Sequence, residues 1–123
     1  MSDTAIALLR RGQIVLASFD SGVGSEARKT RPAVVVSNNT ANAVAIRHAG
    51  ATVTVVPLTT ATDRVWPFQV LLPAAATGLD RDSKARAEQV RTIAVARIVR
   101  PVGWVPAELM AALDEALRLH LAL

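Results

Sequence analysis

The chain has 123 residues, enough for one domain with its own core. It is 51% hydrophobic and 20% charged, which excludes wholesale disorder, while 3% aromatic content with no Tyr leaves Val, Leu, Ile and Ala to build that core. Cys is absent, removing disulfides, thiol nucleophiles and zinc–thiolate sites, and the net charge of +4 arises from 14 Lys+Arg, twelve of them Arg, over 10 Asp+Glu.

The opening MSDTAIALLRRG does not read as a signal peptide. Its apolar stretch Ala5–Leu9 is too short and Arg10-Arg11 lies on the wrong side. No uninterrupted apolar run reaches the ~20 residues a membrane span needs. A soluble, cytoplasmic, single-domain protein over residues 1–123 is expected. Gln13–Phe19 then reads as a first strand, and Asp20–Thr30, with Gly22 and Gly24, as a polar loop. Ala33–Ser37 is β-branched and almost wholly apolar, the pattern of a buried strand. Asn38–Gly50 is a turn-rich connection with room for one helical turn.

Thr52–Thr59 alternates Thr and Val before an apolar end, as a half-buried strand does. Phe68–Leu72 and Glu88–Ala94 are further strands, and Leu79–Ser83 is a turn between them. Ile98–Trp104 is placed at a sheet edge, where Pro101 is tolerated. Pro106–Leu121 is the clear helix: Pro106 and Glu108 suit its first turn, and Leu109, Leu113, Leu117 and Leu121 form one stripe with Met110 and Ala116. Asp114 and Arg118 are spaced for an i, i+4 pair. Many short strands and a terminal helix predict a mostly β fold, a small antiparallel barrel with the helix packed outside.

The familiar catalytic constellations are missing: no phosphate-cradling loop, dinucleotide fingerprint, nucleophile elbow or His-Glu-x-x-His. His48 and His120 are poorly placed for an acid–base pair, and Asp80-Arg81-Asp82 reads as a turn rather than a metal site. No cofactor is expected. What stands out is Gly24–Pro32, GSEARKTRP, three cations and a carboxylate opening onto a buried strand. Pro32 biases Arg31 toward extended backbone, so its side chain is held by the scaffold. A solvated basic loop with an ordinary strand entry is the alternative from these residues alone. The Arg-rich excess suits phosphate, because a guanidinium can grip it with two parallel hydrogen bonds.

Taken in order, Arg11-Gly12-Gln13, Gly24–Glu26, Arg31–Val36, Val55–Thr59, Pro67–Leu72, Asp82-Ser83, Gln89–Ile93 and Glu108–Leu121 resemble the MazF/PemK-like toxins of type II toxin–antitoxin systems. Each match alone is weak, but they keep the family's order over residues 11–121. The resemblance implies a small SH3-like antiparallel barrel of the CcdB/PemK/MazF kind with a C-terminal helix. It implies a metal-independent endoribonuclease in which the 2′-hydroxyl of single-stranded RNA attacks the adjacent phosphate, leaving a 2′,3′-cyclic phosphate and a 5′-hydroxyl. A homodimer and a cognate MazE-like antitoxin go with it.

Arg31 and Thr59 fall on the family's central catalytic positions. Negative charge grows on the phosphorane oxygens, and a fixed guanidinium and hydroxyl aimed there favour the transition state over the ground state. A guanidinium is a poor base, and Glu26 is chemically better suited to that role. Arg28 and Lys29 are candidates for holding phosphates and Ser25 and Gln89 for reading base edges. Trp66 is a candidate for stacking on a base, with core or dimer packing as its alternative. Gln13, Ser21 and Ala27 depart from the residues common in the family and bear on loop shape and sequence preference. Two other readings compete. One is a CcdB-like gyrase poison, which is expected to act through a C-terminal end with a Trp near it, whereas this chain ends LRLHLAL. The other is a non-catalytic RNA-binding barrel, against which Arg31 and Thr59 argue.

Overall fold

The structure, a computed structural model, describes residues 9–19, 30–48 and 50–123. Its strands are β1 (Gln13–Ser18), β2 (Thr30–Val35), β3 (Thr52–Thr59), β4 (Gln69–Leu72), β5 (Ser83–Arg86), β6 (Arg91–Ala94) and β7 (Ile98–Trp104). Its helices are α1 (Asn39–Ala45), α2 (Ala74–Thr77) and α3 (Ala107–Leu121). All strand pairs are antiparallel, in the order β4-β5-β3-β2-β1-β7, with β6 also on β3.

The expectation of an SH3-like barrel is corrected here, because the sheet does not close: β4 and β7, the two ends of the order, do not pair. The segment after β4 explains the gap. Instead of running alongside β7, the chain turns through α2 and the left-handed Gly78. That turn lies so tightly on β7 that a Cβ added at Gly103 would collide with the Thr77 carbonyl oxygen. A helical turn therefore stands where a closing ladder would run.

Alternation along the strands builds two cores, one on each side of the sheet. Ile14, Val34, Val56, Leu58, Val70 and Leu72 join Leu113 and Ala116 of α3. Val15, Ala17, Ala33, Val35, Val53 and Val55 pack with Ala45 of α1, Ile93 and Ile98 on the other. Leu113 is fully buried, while Leu109, Met110 and Leu117 flank it, so the predicted leucine stripe is the face α3 turns inward as far as Leu117, whereas Leu121 is exposed. Such a leucine contributes roughly 1.5–3 kcal/mol through area removed from water.

Three local expectations change. Asn38–Gly50 holds two turns of helix rather than one, because the Asn38 side chain accepts from Ala41 N and caps α1. Glu88–Ala94 is not one strand: a 3-10 turn at Ala87–Gln89 separates β5 from β6, and these two strands follow one another along β3. Asp114 does not pair with Arg118. It accepts from Arg11 Nη2 at 2.6 Å, while Arg118 donates to Glu115. Arg11 reaches α3 because Gly12, at φ +93°, turns the chain sharply ahead of β1. Its Nε also donates to Val36 O at 2.8 Å. Being one-third exposed, the Arg11–Asp114 pair adds on the order of 0.5–1 kcal/mol at most. Among the described residues no helix is long and apolar enough to cross a membrane.

Candidate active site

The site opens where β3 changes partners. Its ladder with β2 runs Val35↔Val55, Val34↔Val56, Ala33↔Pro57 and stops. Neither Pro57 nor Pro32 has an N–H to carry the ladder further. Beyond that point β2 stays on β1 through Leu16↔Pro32, Ala17↔Arg31 and Ser18↔Thr30. β3 turns instead to β5 through Leu58↔Ala85 and Thr59↔Lys84. The strands part and leave a groove of about 290 Å³ lined by Thr30, Arg31, Pro32, Leu58, Thr59 and Thr60.

Arg31 and Thr59 therefore face one cleft, from two strands anchored in the core. The guanidinium is exposed, and it has no acidic partner or side-chain hydrogen bond among the described residues. The Thr59 hydroxyl is half-buried, and its oxygen accepts from Ala61 N at 3.2 Å. With that lone pair engaged, the hydroxyl proton is left to donate elsewhere. A cation and an oriented donor on one cleft can together stabilise an anion that develops between them.

Other sequence candidates fall elsewhere. Glu26, Ser25, Arg28 and Lys29 lie outside the described residues. Gln89 is exposed on the 3-10 turn between β5 and β6 and does not line the groove. Trp66 is 46% exposed and stacks parallel to Phe68 at 6.3 Å between centroids, with the Arg64 guanidinium 4.9 Å above its ring. It too lies away from the groove lining. His48 and His120 are both exposed and outside it. No three His, Asp or Glu among the described residues gather to hold a metal ion.

Two contributors escaped the sequence reading. Thr60 lines the groove beside Thr59. Lys84 is buried, stands opposite Thr59 in the ladder, and donates from Nζ to Arg64 O at 2.5 Å. It fixes the segment that leaves the groove after Thr59. Pro57 was the available signal, since a proline inside a strand marks where a ladder fails.

The chain matches the family model described as PemK-like, MazF-like toxin of type II toxin–antitoxin system over residues 10–121. It is 54% identical over 116 residues to endoribonuclease MazF9 of Mycobacterium tuberculosis, covering 94% of this chain and 98% of that one. It is 32% identical over 117 residues to endoribonuclease EndoA of Bacillus subtilis, with coverage of 94% and 97%. Among solved structures, Mycobacterium tuberculosis toxin MazF-mt6 superposes with a TM-score of 0.70 at 28% identity, covering 90% of this chain and 97% of that one. A mycobacterial endoribonuclease in complex with its cognate antitoxin superposes at 0.68 and 29% identity, covering 94% and 96%.

Proposed function

The chain belongs to the PemK-like, MazF-like toxins of type II toxin–antitoxin systems, and we propose that the groove between β2 and β3 is where it cleaves RNA as an endoribonuclease. The observation that carries this reading is that the Arg31 guanidinium, unengaged among the described residues, shares that groove with the oriented Thr59 hydroxyl. Similarity along nearly the whole length of two endoribonucleases supports the same activity.

The substrate is single-stranded RNA, whose backbone can bend to bring its 2′-hydroxyl in line with the neighbouring phosphorus. The 2′-oxygen bonds to phosphorus as the bond to the 5′-oxygen breaks, giving a 2′,3′-cyclic phosphate and a 5′-hydroxyl end. Arg31 neutralises the phosphorane oxygens and supplies the proton for the departing 5′-oxygen, and Thr59 gives a second hydrogen bond to the same charge. Glu26, in the connection between β1 and β2, takes the 2′-hydroxyl proton. Arg28 and Lys29 hold flanking phosphates, Ser25 and Gln89 read base edges, and Trp66 offers its exposed ring to an unstacked base. No metal is required in this scheme.

The toxin is held inactive by a cognate antitoxin of the MazE kind, and the antitoxin complex of a structural relative supports this. It works in the cytoplasm as a homodimer. Exposed Leu71, Val99 and Trp104 supply apolar surface that a second copy would cover. The test is incubation of a defined single-stranded RNA with the purified protein in EDTA, followed by mapping of ends. Cyclic-phosphate and 5′-hydroxyl ends are expected. RNA that is bound but stays uncut, or cleavage that needs added metal, overturns the mechanism.

A further inference from the structure

Along the unpaired side of β7, between that strand and the turn that follows α2, lies a cavity of about 610 Å³, within the range that holds a small ligand. Its floor is one register row crossing three strands, Pro32, Leu16 and Arg100. Its far wall is the Gly78–Ser83 turn, which contributes Asp80 and Arg81. It shares Pro32 and Thr60 with the cleavage groove, so the two spaces adjoin.

That wall is braced. Asp82 accepts from Ala74 N at 2.8 Å, and the buried Ser83 hydroxyl donates to Arg81 O at 3.2 Å. Thr77 Oγ1 donates to Pro73 O at 2.9 Å and accepts from Leu79 N at 3.3 Å. The turn is thus fixed by its own side chains, yet Asp80, Arg81 and Arg100 have no side-chain partner among the described residues. One carboxylate and two guanidiniums, unengaged among the described residues, line a pocket beside the groove to which Leu16 and Pro32 give an apolar surface.

We infer that this cavity is a base-recognition subsite for the nucleotide next to the scissile phosphate, selecting a base that carries an exocyclic amino group. The inference rests on the RNA-cleaving reading for its place in the reaction, but not for its binding chemistry. A carboxylate accepts hydrogen bonds and donates none, so Asp80 suits the amino group of cytosine, adenine or guanine. Uracil carries no amino group: its edge offers a single N3–H between two carbonyl oxygens, so a carboxylate that takes that hydrogen bond is left facing a second acceptor. Arg81 and Arg100 grip phosphate or a base acceptor. Leu16 and Pro32 supply the apolar surface on which the base lies.

Two measurements on the intact protein separate this inference from the cleavage mechanism. The first follows backbone amide resonances of Val102 and Gly103 while CMP, AMP, GMP or UMP is added. The amino-bearing nucleotides are expected to shift them with at least ~10-fold greater affinity than UMP. Asp80→Asn, whose amide can donate to a carbonyl, should erase that preference, and Arg100→Ala should weaken all four. No shift with any nucleotide, or equal binding of UMP by the wild type, overturns the subsite. The second maps cut sites in a random RNA pool. The wild type should favour one fixed amino-bearing base beside the cut, and Asp80→Asn should raise KM and lose that choice; an unaltered choice overturns the inference. Nucleotide binding without RNA cleavage upholds the pocket and sinks the cleavage reading. Cleavage without nucleotide binding does the reverse.

Discussion

Arg31 and Thr59 line one groove where β2 and β3 part, each two residues beyond Ala33↔Pro57, the last pair of the ladder between those strands. Each sits on a strand whose inner end is locked in a core. Preorganisation of this kind is what lets a donor act on developing charge without first being reoriented.

Removing the guanidinium should therefore cost activity and little else. Arg31→Ala is expected to slow single-turnover RNA cleavage by on the order of 10²–10³, the scale for losing one donor to a developing anion. Because Arg31 is exposed and unpaired among the described residues, unfolding free energy should move by less than ~0.5 kcal/mol. Cleavage at the wild-type rate would remove Arg31 from the mechanism.

The hydroxyl can be separated from the shape that carries it. Thr59→Val keeps the volume but loses both the donor and the acceptor for Ala61 N. A loss of roughly 10² in rate is expected from it, against less than ~10-fold for Thr59→Ser. Equal rates for the two variants would show that shape, not hydrogen bonding, is what position 59 supplies.

The α3 contact is a matter of packing rather than chemistry. Leu113 is fully buried in the core against the sheet, so Leu113→Ala should lower stability by about 2–5 kcal/mol in urea unfolding. Cleavage per folded molecule should persist. A change under ~1 kcal/mol would mean the helix is not seated as described.

Asn42 tests the polar link between α1 and the end of β2. It is fully buried, its Nδ2 donates to Ser37 O at 2.9 Å, and its Oδ1 accepts from Ser37 Oγ at 2.5 Å. Asn42→Ala removes the donor to Ser37 O and the acceptor for the Ser37 hydroxyl, which keeps only its bond from Thr54 N, and a loss of about 1–3 kcal/mol is expected by thermal or urea denaturation. A neutral result would mean water takes over both bonds.

The elements most legible in the sequence were those whose pattern is local. Thr52–Thr59 alternates, Ile98–Trp104 carries its edge proline, and the leucines of α3 repeat on one face; all three emerged with bounds matching to within a residue. β5 was invisible because SKAR has no apolar alternation, and its Ser83 and Lys84 are buried only through contacts made at long range. Arg31 and Thr59 were singled out by resemblance to a family, and the groove between them could not be read from residue patterns. It exists because β3 leaves one neighbour for another, a tertiary event to which only Pro32 and Pro57 pointed. Closure failed as an expectation for a similar reason: strand count suggests a barrel, but the α2 turn seated on Gly103 decides otherwise.

A seam that was never stitched also changes what a bulky guest must overcome. Polymer laid across a fully hydrogen-bonded cylinder can enter only by tearing rungs out of its wall. Here the banks of the fissure, the Gly78–Ser83 turn and the β7 rim, share no rungs, so a guest can lie between them with every ladder in the sheet left whole.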